Sequence, residues 1–411
     1  MKAKNIKFPR PATRFRPVIS YLPTQTTINF VLDCTLSLKK DFGSPAPVFI
    51  RDKAYLAPDD TGAISFRRSE TVTVACPGPN KLVVLGNQTS SYNIREAHCI
   101  INSTFRVDRW IGEFKDIRCN GNPVFSTQQY VQCSNGGTLK YRVGYKIKKW
   151  FFQLYEACFN RDLLTTHYVK HKITPTSVFM QTGSKRPKFT EGDLFGKVRM
   201  SKVYKVANQN DRLNAVLGPN ASVNYVTKKQ YLTRGHLAAR ADYTMRAETR
   251  ATFHYINSAP QWQRGNAGDW AALEDALRRR IQTLGRSVMV LTGTHLIMTL
   301  PDAKDKLHSI YLYADENNNL QVPVPLYFYK LVYDPIDKTA TAFVMINSSF
   351  YNSTSLDKLT FCDNVCGDDS QNFSWLKWRA GDGTHSFCCS YEDFITKVDY
   401  LDEFYVTGLF Y

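Results

Sequence analysis

The chain has 411 residues, of which 43% are hydrophobic and 22% charged, which is typical of two globular domains and excludes a disordered or fibrous protein. No apolar run approaches the roughly 18 residues of a membrane-spanning helix, so no membrane partner is expected. The formal net charge of +17 favours a polyanionic partner, because neutralised phosphates release counterions. A basic surface that serves only solubility is the alternative.

The first part of the chain divides into two segments. Residues 1–30 are rich in Lys, Arg and Pro without any acidic residue, which predicts a basic extended arm. From residue 31 to 145, short apolar runs alternate with turn sequences such as CPGPN and CNGNP, which predicts a small β-rich N-terminal domain. The predicted strands of this domain are NFVLDCTLSL, APVFIRD, ETVTVACP, KLVVLGN and TLKYRVGYKI.

Residues 146–411 have a mixed α and β pattern and are predicted to form a second domain. Its clearest helix is 268–284, with Asp269 suited to the N-terminal end and Gly285 to the C-terminal end. Three- and four-residue steps define the apolar stripe of this helix: Trp270, Leu273, Leu277, Ile281 and Leu284. Buried strands are predicted in SVMVLTGTHLIM, VPVPLYFYKLVYD and TATAFVMINSSF, and the segment from about residue 351 is expected to be structural.

Ten cysteines form an N-terminal group of six and a C-terminal group of four: Cys34, Cys76, Cys99, Cys119, Cys133 and Cys158, then Cys362, Cys366, Cys388 and Cys389. Only CDNVC and CC are spaced closely enough for zinc, and adjacent cysteines make poor tetrahedral ligands. Disulfides are therefore favoured over a metal site or free buried thiols. We predict pairing within each group, with Cys388 and Cys389 bonded to Cys362 and Cys366.

Six Asn-x-Ser/Thr sequences accompany the cysteines, at Asn87, Asn102, Asn220, Asn347, Asn352 and Asn372. Chance supplies several such sites in a chain this rich in Asn, so each one carries little weight. Together with the cysteines they predict a secreted, disulfide-bonded glycoprotein. The first residues lack the apolar segment of a secretory signal, and we expect that a signal peptide is missing from this sequence or has been replaced.

Two segments, 233–243 (TRGHLAARADY) and 257–280 (NSAPQWQRGNAGDWAALEDALRRR), hold the groups that phosphodiester hydrolysis needs. A His side chain can take a proton from water, oxygen donors hold a hard divalent ion, and Arg neutralises phosphate. Arg234 and His236 stand two positions apart on a predicted strand and so face the same side. Four further side chains repeat at four-residue steps along one side of the helix and its entry turn: Asn266, Trp270, Glu274 and Arg278.

These segments resemble the DNA/RNA non-specific endonuclease family, whose motifs are Asp-Arg-Gly-His, Asn-x-x-Pro-Gln and Asn-x-Gly-x-Trp followed by Leu-Glu. The corresponding sequences here are TRGH (233–236), NSAPQ (257–261) and NAGDWAALE (266–274), at similar spacings. The resemblance implies an α+β fold with a ββα-metal (His-Me) finger, a central mostly antiparallel sheet and flanking helices. The β-rich, cysteine-bearing extension and the basic charge resemble the arthropod branch of secreted nucleases and double-stranded ribonucleases.

The resemblance also implies roles for individual residues. His236 is expected to be the general base and Asn266 the direct ligand of Mg²⁺, Mn²⁺ or another divalent ion. Glu274 would hold the ion through water, Arg234 and Arg278 would support the phosphate and leaving group, and Asn257 would orient the site. Thr233 stands where the family usually has Asp, which predicts a changed orientation or metal affinity without loss of activity.

Other residues near the motifs have two interpretations each. Arg240, Arg264 and Arg279, with Arg246 and Arg280, could form a track for phosphates or remain solvated surface charges. Trp262 could stack on a base or pack in the core, and His254 is expected to be structural.

The predicted function is a secreted, metal-dependent endonuclease that cuts DNA and RNA with little sequence specificity and leaves 5′-phosphate ends. We expect a monomer or homodimer and a preference for duplex. An organelle endonuclease of the same superfamily is disfavoured by the cysteines and the Asn-x-Ser/Thr sequences. A non-catalytic nucleic-acid-binding relative is disfavoured because His236, Asn266 and Glu274 are all present.

Overall fold

The computed structural model describes residues 34–133, 138–181, 186–367, 371–378 and 384–411. The predicted basic arm of residues 1–30 lies outside them. The described residues contain 25 strands and seven α-helices, so the predicted mixture of α and β structure is confirmed. No helix in this part of the chain is long and apolar enough to cross a membrane.

The N-terminal region is built from eleven short strands: β1 (Cys34–Ser37), β2 (Val48–Arg51), β3 (Ala54–Tyr55), β4 (Ala63–Phe66), β5 (Thr71–Ala75), β6 (Val83–Leu85), β7 (Gln88–Thr89), β8 (Ile94–Ile101), β9 (Thr104–Val107), β10 (Trp110–Glu113) and β11 (Ile117–Cys119). They form a six-stranded sheet in the order β10-β9-β8-β5-β2-β3, a pair β1-β4 and a three-stranded sheet β11-β6-β7. All of these strands pair antiparallel. Side chains such as Phe66, Phe105 and Phe114 fill a common core. The eleven strands confirm the prediction that the region is β-rich.

The remaining strands are β12 (Ser126–Gln132), β13 (Thr138–Ile147), β14 (Trp150–Asn160), β15 (Thr165–Ile173), β16 (Leu232–His236), β17 (Ser258–Trp262), β18 (Val288–Ile297), β19 (Thr299–Pro301), β20 (Leu307–Ser309), β21 (Tyr311–Ala314), β22 (Leu320–Pro323), β23 (Pro325–Asp334), β24 (Thr339–Ile346) and β25 (His385–Cys389). Eight of them form one antiparallel sheet in the order β12-β13-β14-β15-β18-β23-β24-β25. The expected division of the chain near residues 145–146 falls inside β13, and the domain boundaries stay a prediction.

Strand β23 lies inside the large sheet, between β18 and β24, and all ten of its residues are buried. Phe328 and Val332 face one hydrophobic core, whereas Tyr329 and Leu331 face another on the opposite side. A strand covered on both faces needs apolar residues at consecutive positions, which explains the continuous run VPLYFYKLVY. The single charge in that run, Lys330, is therefore buried as well.

Seven helices accompany the sheets: α1 (Met200–Val203), α2 (Val206–Leu217), α3 (Arg246–Ala251), α4 (Gln263–Ala267), α5 (Asp269–Leu284), α6 (Ser353–Leu359) and α7 (Tyr391–Ile395). Helix α5 confirms the predicted helix, and its apolar stripe packs into the same core as Phe328. The helix ends at Leu284, and the capping residue Gly285 has a φ of 70°, which is accessible to glycine without steric cost. Short turns of 3₁₀ helix cover Phe114–Asp116, Pro175–Val178, Ala221–Asn224, Arg240–Asp242, Tyr255–Asn257 and Gln371–Phe373.

Five disulfides join the cysteines within the two predicted groups, which confirms the prediction. The pairs are Cys34–Cys99, Cys76–Cys119, Cys133–Cys158, Cys362–Cys389 and Cys366–Cys388. The first two close loops within the N-terminal region. The last two tie the segment before β25 to that strand, so the adjacent cysteines bond to different partners.

One of the six Asn-x-Ser/Thr sites is buried. Asn347 accepts a hydrogen bond from the Trp262 backbone N–H at 3.0 Å and donates to the carbonyls of Pro260 and Pro325. A glycan requires an exposed side-chain amide. Asn347 therefore connects β17 to the sheet and cannot carry a glycan in the folded chain.

Candidate active site

Strands β16 and β17 form an antiparallel pair that positions the TRGH and NSAPQ segments side by side. Arg234 lies opposite Pro260, and His236 lies opposite Ser258. Between them, Gly235 lets the buried Gln261 side chain approach the backbone, because a Cβ atom at residue 235 would lie 2.7 Å from Gln261 Cβ. The chain then passes directly from β17 into α4 and α5.

An open cavity of about 1080 Å³ lies where this strand pair meets the two helices. Five of the predicted site residues line it: Arg234, His236, Arg240, Asn266 and Glu274. They come from β16, the following 3₁₀ turn, α4 and α5, so tertiary folding brings together the segments that carry the motifs.

The His236 ring is held between two aromatic rings. Its centroid lies 5.0 Å from that of Phe189 and 4.9 Å from that of Phe253. The Nε2 atom is shielded from solvent and has no hydrogen-bond partner among the described residues. Burial, followed by the positive charges of Arg186, Arg240 and Arg234, lowers the pKa of His236 to about 3, against a weaker opposing effect of Asp242. The imidazole is consequently neutral near pH 7.

Thr233 fixes the orientation of the Asn266 amide. The Thr233 hydroxyl donates its only proton to the backbone carbonyl of Gln261 at 2.9 Å, so it can only accept from Asn266. Asn266 must therefore present its Nδ2 group to Thr233, at 2.9 Å. The Asn266 carbonyl oxygen is left free of this contact, in a residue that lines the cavity.

Glu274 lies in the cavity wall one helical turn after Trp270. Burial raises the pKa of Glu274 to about 7, whereas the nearby charges of Lys330 and Arg278 favour its ionised form. The buried Lys330 ammonium donates to Thr292 Oγ1 at 2.7 Å and lies 5.3 Å from the centroid of the Trp270 ring. Near pH 7 the Glu274 side chain is therefore present in both its neutral and its ionised form.

The cavity carries mainly positive charge, which comes from arginine side chains. Arg186, Arg234 and Arg240 line it, and none of the three takes part in an ion pair within the described ranges. The Arg234 guanidinium lies 5.5 Å from the ring centroid of Phe189 and 5.6 Å from that of Tyr204. Aromatic faces hold the guanidinium without neutralising it, so its charge remains available to an anion.

Two other predicted residues lie behind the cavity. Asn257 is fully buried; its side chain accepts from the Ala238 backbone N–H and donates to the carbonyls of Ala238 and Thr252. It holds the backbone just after His236, in keeping with an orienting role. Arg278 is turned to Asp242 at 3.0 Å rather than to the cavity, and Asp242 also bonds to His171 Nε2 at 2.8 Å.

The remaining predicted substrate contacts are not brought to the cavity. Trp262 is 1% exposed and points its indole N–H to Met298 Sδ, so it packs in the core and presents no face to a base. Arg264 and Arg279 are exposed outside the cavity lining, and Arg279 is ion-paired with Asp275. His254 is buried and accepts a hydrogen bond from the Ile256 backbone N–H, as expected for a structural residue.

Several residues of the site lie outside the motifs. Arg186, Lys188 and Phe189 come from a loop distant in sequence, and Tyr204 and Tyr255 complete the wall around Arg234. In the sequence, the basic segment KRPK at 185–188 indicates a place for Arg186 and Lys188 in an anion-binding site. Lys330 could have been recognised because it is a lone Lys within the apolar sequence of β23.

The chemistry of the cavity suits a hard divalent cation. Its candidate donors are the amide oxygen of Asn266 and the carboxylate of Glu274, both oxygen ligands. No group of three or more His, Cys, Asp or Glu side chains suited to a metal occurs in the part of the chain that the structure describes. A cation here would therefore have few protein ligands and take most of its coordination from water and substrate.

Comparison with known proteins gave a consistent set of relatives. The family model for DNA/RNA non-specific endonuclease matches residues 135–389, more than half of the chain. A salivary endonuclease of Lutzomyia longipalpis is 26% identical over 364 residues, covering 84% of this chain and 80% of the relative. Salivary protein Tsal2A of Glossina morsitans morsitans is 23% identical over 92% of this chain and 94% of its own length. A salivary endonuclease of Culex quinquefasciatus is 24% identical, with 84% and 83% covered.

Proposed function

Because the chain belongs to the DNA/RNA non-specific endonuclease family and is a hydrolytic nuclease, we propose that it cleaves in the cavity of Arg234, His236, Asn266 and Glu274. The observation that carries this proposal is the meeting of a neutral histidine, a free amide oxygen and unpaired arginines in one open cavity. These are the groups that activate water, hold a cation and bind a phosphodiester. In this proposal β16, β17 and the following helices form the ββα-metal finger.

His236 acts as the general base. It takes a proton from a water molecule as the water oxygen bonds to phosphorus and the bond from phosphorus to the 3′ oxygen breaks. The 3′ oxygen leaves with a proton from solvent, which gives 5′-phosphate and 3′-hydroxyl ends. Arg234 and Arg240 stabilise the charge that develops on the phosphate oxygens.

Substrate binding also raises the basicity of His236. Burial is the largest cause of the low pKa of the imidazole, and the charges of Arg186, Arg240 and Arg234 lower that pKa further. A phosphate bound among these side chains would offset their charge and raise that pKa towards the range suited to a general base. The arginines would thus oppose protonation of His236 less when substrate is bound.

Asn266 would hold a divalent cation, Mg²⁺ or Mn²⁺ being the best suited, and Glu274 would hold it through water. When bound, the cation would neutralise charge on the phosphate and the leaving oxygen. Thr233 serves as the positioning residue for Asn266, because its hydroxyl fixes which end of the amide faces the cavity.

The substrate is proposed to be both DNA and RNA, with duplex favoured and with a monomer or homodimer as the active form. The motif segments present arginines and a cation site to the backbone and offer no evident contact for a 2′-hydroxyl or a base edge. We further propose that the protein acts outside the cell. Its five disulfides are typical of an oxidising compartment, and the relatives in Lutzomyia and Culex are salivary endonucleases.

A cleavage assay on four substrates tests this function. Purified protein is incubated with double- and single-stranded DNA and RNA, with and without EDTA, and products are analysed for 5′-phosphate ends. We expect that both DNA and RNA are cleaved, that EDTA stops this cleavage and that Mg²⁺ restores it. Asn266→Ala should lose this activity and recover part of it in excess metal. Full activity in EDTA, or an unaffected Asn266→Ala variant, would contradict the proposed cation site.

A further inference from the structure

A second cavity, of about 450 Å³, adjoins the candidate active site. The two cavities share Arg186 and Pro187 in their walls. The other polar groups of the second cavity come from the N-terminal β-rich region and from α3: Ser44, Asn122, Arg246, Thr249 and Arg250. Hydroxyl, amide and guanidinium groups of this kind bind nucleic-acid phosphates in proteins.

The charge of this second cavity is positive. No Asp or Glu belongs to its lining, and Arg186 and Arg250 form no ion pair in the described residues. The one acidic residue of α3, Glu248, is buried and accepts from the Met245 backbone N–H. Burial raises the pKa of Glu248 to about 8, so it supplies little negative charge near pH 7.

The wall that carries Arg250 is held in place by both parts of the chain. Arg246 donates to the carbonyl oxygens of Phe42 and Gly43 at 3.3 and 3.4 Å, which ties α3 to the N-terminal region. Tyr145 of β13 donates to the Ala247 carbonyl at 2.8 Å, which ties the same helix to the large sheet. This wall of the cavity is therefore held in place without a ligand, which lowers the entropic cost of binding.

We propose that the second cavity binds a backbone phosphate of the substrate strand, a few nucleotides away from the scissile bond, through Arg250 and Arg186. This inference rests on the proposed function, because it takes the first cavity as the place of cleavage. The shared wall at Arg186 lets one strand contact both cavities. The N-terminal region is then part of the substrate-binding surface, through Ser44 and Asn122.

The salt dependence of binding tests the proposal without any turnover. Affinity for a long DNA duplex is measured at several salt concentrations with protein carrying His236→Ala, and then with Arg250→Gln or Arg250→Lys added. The control is Arg109→Gln, which removes the same charge from an exposed turn outside both cavities. Thermal unfolding of each variant verifies the fold.

Arg250→Gln should weaken binding by about tenfold and lower the slope of log affinity against log salt by about 0.9, the loss of one phosphate contact. Arg250→Lys should keep the slope, and Arg109→Gln should keep both values. If Arg250→Gln behaves like Arg109→Gln, the second cavity does not bind substrate although the proposed function stands. Continued cleavage by the His236→Ala protein would instead contradict the proposed function, and affinities would then be compared in EDTA.

Discussion

Thr233 and Asn266 illustrate how a single hydroxyl can orient the side chain of a proposed metal ligand. Where the family that this chain belongs to usually has Asp, Thr233 offers an acceptor without a negative charge. Its proton is committed to the Gln261 carbonyl, so the amide of Asn266 has one favourable orientation. The sequence alone predicted a change at this position. It could not predict the mechanism, because the Gln261 carbonyl comes from the neighbouring strand.

We expect Thr233→Val to weaken divalent-cation binding by roughly 10- to 100-fold, the usual effect of losing a group that orients a ligand. Thr233→Ser keeps the hydroxyl and should bind like the parent. Thr233→Asp keeps an acceptor, adds negative charge and should bind more tightly. Calorimetric titration with Mn²⁺ in the absence of nucleic acid measures all three. Equal affinities for Thr233→Val and the parent would show that Thr233 has no positioning role.

Helix α5 shows which features of an element its own sequence determines. The apolar stripe and Gly285 predicted its position, and the helix of the structure, Asp269–Leu284, confirms it. The direction of Arg278 was not predictable, because Asp242, its partner, lies on a separate segment 36 residues away. The guanidinium stabilises a carboxylate whose pKa is about 2, held down by His171, Lys330 and Arg278 itself against the effect of burial.

Helix α3 contains a buried acidic residue, Glu248, that makes the free energy of unfolding depend on pH. The pKa of Glu248 is about 8 in the folded chain, against an ordinary 4.5, because the carboxyl group is buried. Between these values the folded state binds more protons than the unfolded state, so the free energy of unfolding falls as pH rises through this window. Below about 4.5 the effect is absent, since both states are protonated.

Glu248→Gln should therefore become progressively more stable than the parent as pH increases from about 4.5 to about 8. The amide oxygen of Gln can still accept from the Met245 N–H, so the start of α3 is preserved. Denaturant unfolding at a series of pH values measures the difference. A difference that is constant across this range would mean that Glu248 is ionised in the folded protein.

At the scale of the whole molecule, the sequence predicted the β-rich N-terminal region, the mixed C-terminal part and the grouping of the disulfides. The exact cysteine pairs and the order of the eight-stranded sheet required the structure, because residues far apart in the chain form them. Trp262 shows the same limit, since its sequence context allowed either stacking or packing. Burial against Met298 and Phe350 determines the outcome.

The proposed recognition of the nucleic-acid backbone predicts how cleavage responds to salt and sequence. The proposed site of arginines and a cation would bind the backbone, so cleavage should show little sequence preference and fall steeply as salt increases. Sequencing of the ends produced from a mixed duplex, together with rates across a salt series, measures both. Cleavage confined to one short motif, or rates indifferent to salt, would be incompatible with recognition of the backbone.

The central claim is that His236 is the general base, and single-turnover cleavage by His236→Ala tests it most directly. His98→Ala, in β8 of the N-terminal region, is the matched control. Loss of the base should slow cleavage on the order of 10²- to 10⁴-fold, whereas affinity for the duplex should stay close to that of the parent because many cations supply it. Near-normal turnover by His236→Ala would contradict the account, since the base would then have to be another group.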